Sequence, residues 1–301
     1  MIMSENEKKE ECLAVYRGLY EDCEENSTLT IPEGMLEVAE NAFRDFSYLT
    51  EIHLPRSLVK ISASAFSGCR NLRRVVFEYG LTEIGDEAFA FCSSLLGVTL
   101  PDSVKRIGQG AFEGCASLSS LKLSESVYVI GSGAFAYCFN LTDVIIPDSC
   151  ALIEFSAFAS CFSLLAVKLS DSMTLIDEST FEGCRSLTTV DMPSRLRKIG
   201  RRAFSGCTSL SSVILPVGVE SVGFDAFSGC SALKRIAIPK KIKELEDGDV
   251  FGGCDSLAEI SFGGSREEWE LLLRGEPLRV QRSDLCVYAP RVNCLDLKNE
   301  I

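Results

Sequence analysis

Apolar residues recur along the chain with a period of 23 positions. The clearest marker is a phenylalanine in every repeat, and the last one follows after 24 positions: Phe43, Phe66, Phe89, Phe112, Phe135, Phe158, Phe181, Phe204, Phe227 and Phe251. A fixed period of this length is typical of a solenoid, in which stacked coils together bury a face that no single coil could bury. The chain is therefore predicted to be a repeat protein of about ten coils.

The apolar positions within one coil predict two short strands. The segment Leu141–Ile146 ends in the alternation that is typical of a strand with one buried face. Proline follows this strand in most coils and is expected to end it, because proline has no amide hydrogen to donate. The second strand is followed by glycine in several coils, as at Gly108, where a corner with positive φ is expected. The Ala-Phe-x-Gly-Cys stretch is predicted to form a helical turn.

Both ends are predicted to be caps, since an open solenoid end exposes core and strand edges. Residues 10–25 contain the apolar stripe of an amphipathic helix: Cys12, Tyr16, Leu19 and Cys23. Ser265 and Glu268 match a capping box before an apolar run, and residues 285–288 are predicted to be one more strand. The predicted organisation is an N-terminal helical cap over 1–28, a solenoid over 29–262, and a helix-plus-strand cap with a tail over 263–301.

These repeats carry a family resemblance. The pattern Leu-x-x-Val-x-Leu-Pro-x-Ser-Leu-x-x-Ile-Gly-x-x-Ala-Phe-x-Gly-Cys, close to residues 95–115 and 187–207, resembles the BspA-like (treponemal-type) leucine-rich repeat. The resemblance implies an α/β fold, a right-handed leucine-rich-repeat solenoid (horseshoe) with a parallel β-sheet. It also implies binding to other macromolecules, and some members of the family are bacterial surface adhesins.

Net charge and hydropathy exclude several classes of function. A net charge of −13 argues against a general binder of nucleic acid or of anionic membranes. The first residues lack an apolar export segment, and no apolar run is long enough to cross a bilayer. A cytoplasmic location is therefore expected, and the alternative is the cell surface, if the protein is exported by a route that the sequence does not reveal.

Cysteine stands three positions after the phenylalanine in nine coils and forms a ladder: Cys69, Cys92, Cys115, Cys138, Cys161, Cys184, Cys207, Cys230 and Cys254. A metal or redox stack is one interpretation. Packing is the preferred one, because no Cys-x-x-Cys pair occurs and Phe46 replaces the cysteine in the first coil. No metal and no cofactor are expected.

Catalysis is not supported by the residues. His53 is the only histidine, and no phosphate-binding loop, dinucleotide motif or zinc-protease motif occurs. The protein is expected not to be an enzyme, and a hydrolase is kept as a disfavoured alternative.

Two surfaces are candidates for protein binding. Positions seven, eight and ten after each phenylalanine are expected to face outward from the sheet, and several are charged: Arg73, Arg74, Lys122, Asp143, Lys168, Asp191 and Arg235. The alternative is scattered charge on a solvated sheet. The second candidate consists of aromatic residues beside the cysteine turns: Phe91, Tyr137, Phe139 and Phe162, with Phe155 nearby. Tyr137, Phe139 and Phe162 are expected to cluster. The alternative for this cluster is local packing between adjacent turns.

A third patch is a basic run that could recognise an anionic partner, against the alternative of an ordinary solvated surface. It consists of Arg195, Arg197, Lys198, Arg201, Arg202, Lys240, Lys241 and Lys243.

The leading prediction is a non-catalytic protein-binding module that presents the strand face of the solenoid. Its protein partner is not identified by the sequence, and weak self-association is a further alternative. The competing functions are a bacterial adhesin for host or matrix proteins and, disfavoured, a hydrolase.

Overall fold

The structure, a computed structural model, describes residues 15–17, 27–246, 250–273 and 291–294. The chain divides into two compact units, Met1–Leu141 and Thr142–Ile301. Both units are solenoids of parallel strands, and together they supply about ten coils of 23 residues. The predicted leucine-rich-repeat solenoid with parallel sheets is thereby confirmed, and within the described ranges it contains a single α-helix.

Each coil of the first unit contributes one longer and one two-residue strand. The longer strands are Thr28–Thr30, Glu51–His53, Arg74–Val76, Gly97–Thr99 and Ser120–Lys122. The first three of these form one sheet and the last two another. The two-residue strands are Val15–Tyr16, Glu37–Val38, Lys60–Ile61, Glu83–Ile84, Arg106–Ile107 and Val129–Ile130. They pair in sequence order as parallel neighbours.

The second unit repeats this arrangement. Its longer strands are Asp143–Ile145, Ala166–Lys168, Thr189–Asp191, Ser212–Ile214, Arg235–Ile238, Glu259–Phe262 and Arg291–Cys294. The first three form one sheet and the last four another. Its two-residue strands are Leu152–Ile153, Leu175–Ile176, Lys198–Ile199, Ser221–Val222 and Glu244–Leu245.

Strand register follows from the 23-residue period. Leu29 pairs with Ile52, and Ile52 pairs with Val75, so equivalent residues of successive coils are direct neighbours. All three are buried, whereas the residues on either side of them point away from the core. Because side chains alternate between the faces of a strand, the first and last residues of each longer strand form the outward face. The predicted outward positions eight and ten are confirmed.

The Ala-Phe-x-Gly-Cys stretch forms overlapping β-turns instead of the predicted helical turn. Its amides alternate between two kinds of acceptor. Ser67 donates to Ser64, three residues back, with an N–O distance of 3.1 Å. Phe66 donates to the carbonyl of Ala88 in the next coil at 2.8 Å. Because every second amide bonds to the neighbouring coil, a continuous helix cannot form.

The glycine that follows the second strand has a different role from the one predicted. Gly108 does not adopt positive φ. Instead, a methyl group on Gly108 would lie only 2.6 Å from the amide nitrogen of Asp86 and from the carbonyl carbon of Gly85. The glycine is required because the backbones of two coils approach closely at this corner.

The core of each unit is a ladder of parallel phenylalanine rings with the cysteines beside it. The Phe66 and Phe89 ring centroids are 5.2 Å apart, with an angle of 11° between the rings. The nine ladder cysteines and Cys150 are buried thiols. The Cys115 Sγ donates to the carbonyl oxygen of Phe89 in the preceding coil at 3.3 Å. Eight of the nine ladder thiols donate in this way to a phenylalanine carbonyl of the preceding coil, in agreement with the packing interpretation.

The described parts of the two ends differ. Val15–Tyr16, in the middle of the helix predicted over residues 10–25, form a strand paired with Glu37–Val38. A strand provides the backbone hydrogen bonds that the edge of the first coil needs, and a helix there would not. The Tyr16 ring also stacks on Phe43, with centroids 5.8 Å apart. The rest of that predicted helix, and the strand predicted over 285–288, lie outside the described residues.

The predicted capping box is confirmed. Helix α1 covers Arg266–Leu272, and Ser265 is its N-cap, with reciprocal bonds to Glu268. Trp269 of this helix is buried, and its ring lies 5.3 Å from that of Phe262. The boundaries of the three predicted segments, 1–28, 29–262 and 263–301, remain predictions.

Burial should make the ladder thiols unreactive. It raises the pKa of Cys115 to about 12. At about pH 8 roughly one Cys115 thiol in ten thousand would then be a thiolate, against about one in ten at the ordinary pKa of 9.0. We expect iodoacetamide, followed by peptide mass mapping, to leave Cys115 unmodified in the native protein and to alkylate it in concentrated urea. Rapid alkylation of native Cys115 would contradict the packing interpretation.

Candidate functional site

The outward face of the longer strands in the second unit carries the predicted strand residues of that unit and brings Lys168 and Asp191 together. Lys168 pairs in register with Ile145 on one side and with Asp191 on the other. Asp143 and Arg235 are exposed at the other end of their strands, position eight. Lys168 and Asp191 therefore place opposite charges side by side on one solvated face.

Exposed aliphatic side chains on this face were missed by the sequence analysis. Ile145 and Ile214 occupy position ten and are exposed to 66% and 78%. Leu165 at position seven and Val217, just after the strand, are exposed to 51% and 78%. The signal was available: once the period assigns a position to the outward face, an isoleucine there cannot belong to the core. The face is therefore partly apolar, whereas the sequence analysis described it as polar and charged.

A shallow groove of about 520 Å³ lies on this face between Thr189–Asp191 and Ser212–Ile214. The first of these strands ends a three-stranded sheet, and the second begins the four-stranded sheet. Met192 and Val217 line the groove together with Asp191 and Ile214. Its volume falls in the range of ligand pockets, and its lining combines apolar walls with one carboxylate.

The strand face of the first unit is more polar. Arg73 and Lys122 are exposed there, as predicted. The Arg74 Nη1 lies 3.1 Å from the Glu51 Oε1, and the His53 Nε2 lies 3.1 Å from the same oxygen. Arg74 and His53 thus share one carboxylate on the sheet surface, which reduces the basic character predicted for this region. This arrangement orients His53 toward a carboxylate, not toward a nucleophile.

The residue two positions after each phenylalanine lies in a turn and has a left-handed backbone conformation. Six coils have glycine there: Gly68, Gly114, Gly183, Gly206, Gly229 and Gly253. Phe91 and Tyr137 take this position in two coils of the first unit, with φ of 59° and 60°. They are exposed to 51% and 47%. Since a non-glycine residue in this conformation costs about 1–2 kcal/mol, the backbone at this position does not favour an aromatic residue.

The remaining turn aromatics belong to both units. In the first unit the Phe139 ring makes an edge contact with Tyr137, with centroids 6.3 Å apart. In the second unit the Arg185 guanidinium carbon lies 4.5 Å from the centre of the Phe162 ring. Tyr137 and Phe139 are therefore in contact. Phe162 makes a cation–π contact with Arg185 of its own unit. The clustering of Phe162 with the other two remains a prediction.

The basic run is partly neutralised by acids. The Arg197 Nη1 lies 3.8 Å from Glu220, and Lys243 forms an ion pair with the same carboxylate. The hydrogen bond from Lys243 lowers the pKa of Glu220, and the nearby charges of Lys243 and Arg197 act in the same direction. Arg202 pairs with Asp225 at 3.6 Å. An anionic partner would therefore meet less positive charge here than the sequence suggests.

Two further classes of site were sought. Over the described ranges, no three histidine, cysteine or carboxylate side chains are grouped so that they could hold a metal ion. None of the helices in these ranges has the length and apolarity to cross a membrane.

Comparison with known protein families shows which type of repeat the chain contains. A family model described as the BspA type leucine rich repeat region matches residues 14–142, 82–211 and 129–258, in six copies. No curated protein sequence matches the chain.

Three solved structures illustrate the similarity. A leucine rich cell surface protein from Faecalibacterium prausnitzii is 26% identical over 82% of this chain and 90% of its own, with a TM-score of 0.45. A leucine-rich repeat protein from Bacteroides ovatus is 22% identical over 94% of each chain, with a TM-score of 0.48. The T. pallidum leucine rich repeat protein is 30% identical over 62% of this chain and 78% of its own, with a TM-score of 0.47.

The backbone at Tyr137 provides a test of strain. We expect Tyr137→Gly to be more stable than Tyr137→Ala by about 1 kcal/mol, because only glycine adopts positive φ without steric cost. Tyr128 is a matched control, since it is exposed to 49% but is not among the residues with positive φ. There the order should reverse, with glycine less stable than alanine by about 0.5–1 kcal/mol. Urea unfolding of the four variants checks both orders, and the same order at both sites would contradict the assignment.

Proposed function

We propose that this chain, which belongs to the BspA type leucine-rich-repeat family, is a non-catalytic protein-binding module. We further propose that the outward strand face of its second unit contacts the partner. Members of this family are typically protein-binding or surface proteins, and solenoids of this kind are typically non-catalytic. The family does not identify the partner, so the surface must be chosen from its chemistry.

The observation that carries the proposal is the exposure of aliphatic side chains beside charged ones on one face. Ile214 and Val217 border the groove that also contains Asp191. Full burial of an aliphatic side chain of this size contributes about 1.5–3 kcal/mol, so two or three such contacts form the apolar centre of an interface. Lys168 and Asp191 lie beside this centre and supply charges of both signs, which orient a partner more than they add affinity.

The scaffold favours this use of the face. The strands that carry Ile145 and Ile214 are fixed by hydrogen bonds to the next coil, such as the 2.9 Å bond from Ile146 to Lys168. A surface that is rigid before binding loses little conformational entropy when the partner arrives. The same face can therefore select a partner by shape, without rearranging.

Replacement of the exposed aliphatic residues should abolish binding and leave the fold intact. We expect Ile145→Ser with Ile214→Ser to lose the proteins that the wild-type chain retains in affinity capture with quantitative mass spectrometry. The free energy of unfolding should change by no more than about 0.5 kcal/mol per site, because neither side chain belongs to the core.

Leu271→Ser is the matched control for this experiment. Leu271 is exposed to 78%, as Ile214 is, but it lies on helix α1 and not on the strand face. The control should retain the captured proteins. If the double variant retains them as well, or if the control loses them, the strand face is not the binding surface.

Location separates the two versions of this function. The cytosolic location remains a prediction of the sequence, and its alternative is a surface adhesin that binds host or matrix proteins. We expect the native protein to survive protease treatment of intact cells and to be digested after lysis. Digestion in intact cells would instead support the adhesin and direct the search to extracellular ligands.

A further inference from the structure

Two acidic side chains from neighbouring coils approach one glycine on the turn face of the first unit. A methyl group on Gly110 would lie 3.1 Å from the Glu113 Oε2 and 3.4 Å from the Glu87 Cγ, so both side chains reach the same glycine. The Ser64 hydroxyl donates to the Glu87 Oε2 at 3.4 Å. Glu113 is half-buried, and burial, followed by the charge of Glu87, raises its pKa. The charged form of Glu113 is therefore less favourable here than in water.

Aromatic residues stand at the same turn position in the two coils next to Glu113. The Phe91 amide donates to the Glu113 carbonyl at 2.6 Å, and the Phe91 ring lies over Gly114, where a methyl group would be 2.7 Å from it. On the other side, the Gly114 amide donates to the carbonyl of Ala136, the residue before Tyr137, at 2.8 Å. Phe91 and Tyr137 thus belong to the coils that flank Glu113. Together with Phe139 and Glu87 they are called the aromatic–acidic patch below.

We propose that the aromatic–acidic patch binds an arginine side chain of a protein partner. A guanidinium is planar and permanently charged, and it combines stacking on an aromatic ring with paired hydrogen bonds to a carboxylate. The patch offers both kinds of contact, from Phe91 and Tyr137 and from Glu113. A net charge of −13 favours the approach of a basic partner.

The chain contains the same contact in its second unit. There the Arg185 guanidinium lies on the Phe162 ring at 4.5 Å, and that of Arg201 lies 5.8 Å from the Phe224 ring. These are the cation–π pairs found among the described residues, and neither involves the patch. Turn aromatics of this repeat can therefore hold arginine.

The patch is separate from the strand face. It is built on turn residues of the first unit, whereas Ile145, Ile214 and the groove belong to the strands of the second. The inference therefore does not depend on the proposed function, and the two are tested by different residues and different probes.

The test uses arginine itself as the probe. N-acetyl-arginine amide is titrated into the ¹⁵N-labelled full-length chain, with N-acetyl-citrulline amide as a neutral control of nearly the same shape. We expect saturable shifts of the amide signals at residues 87–91, 110–114 and 137–139 with arginine. Citrulline should bind at least about fivefold more weakly, because it lacks the charge that both contacts need. Equal shifts with the two probes, or arginine shifts located elsewhere, would overturn the proposal.

Two variants assign the contacts. Phe91→Gly with Tyr137→Gly installs the residue that six other coils have at this position, and Glu113→Gln removes the charge without changing the shape. Each should weaken arginine binding by about fivefold or more. Tyr79→Ser is the control, because Tyr79 is also an exposed aromatic residue of the first unit, at 71%, but lies outside the patch.

Thermal unfolding of every variant accompanies the titration. If the double glycine variant does not fold, the proposal is tested by arginine binding to Glu113→Gln alone. This variant is expected to fold, since the loss of a half-buried charge is not expected to destabilise the coil. Unchanged arginine binding by Glu113→Gln would refute the proposal. Sedimentation provides a second possible refutation. If the wild type self-associates and Glu113→Gln does not, the patch binds a second copy of the chain and the proposal is refuted.

Discussion

Stacking of identical side chains is the constraint on which each unit depends. In the first unit successive phenylalanine rings lie 5.2–5.3 Å apart, and in the second they lie 5.4–5.9 Å apart. This spacing is close to the distance between hydrogen-bonded strands. The same distance between coils therefore allows both ring stacking in the core and hydrogen bonding in the sheet. A slip of one residue in any coil would turn the apolar set outward and break the ring ladder. The buried thiols, with bonds such as that from Cys115 to Phe89, fill the remaining volume under the same constraint.

The features that could be predicted from the sequence are those that this constraint repeats in every coil. The strand positions, the buried cysteines and the outward face of the strands all follow from counting residues after a phenylalanine. The capping box at Ser265 was also predictable, because both partners of its hydrogen bonds lie within four residues of sequence. Local or strictly periodic contacts need no knowledge of the fold beyond the period.

Contacts that depend on how closely neighbouring coils or surface side chains approach could not be predicted in this way. Gly108 was assigned a positive φ, but its role depends on how closely the backbone of Asp86 approaches from the preceding coil. The strand at Val15–Tyr16 depends on an unpaired edge at Glu37–Val38, which helical spacing in the sequence does not reveal. The candidate sites show the same limit. The shared carboxylate of Glu51 and the compensation of Arg197 by Glu220 require knowledge of which side chains meet on the surface.

A repeat also provides an internal standard for judging function. At the turn position where Gly114 and Gly206 are free of strain, Phe91 and Tyr137 add an unfavourable backbone conformation and exposed apolar area. At position ten, where Thr99 is polar, Ile214 exposes an aliphatic side chain to water. Each of these residues makes its coil less stable than the residue that other coils have at the same position would. Binding is the reason that we propose for these residues, and the two proposed surfaces are built from them.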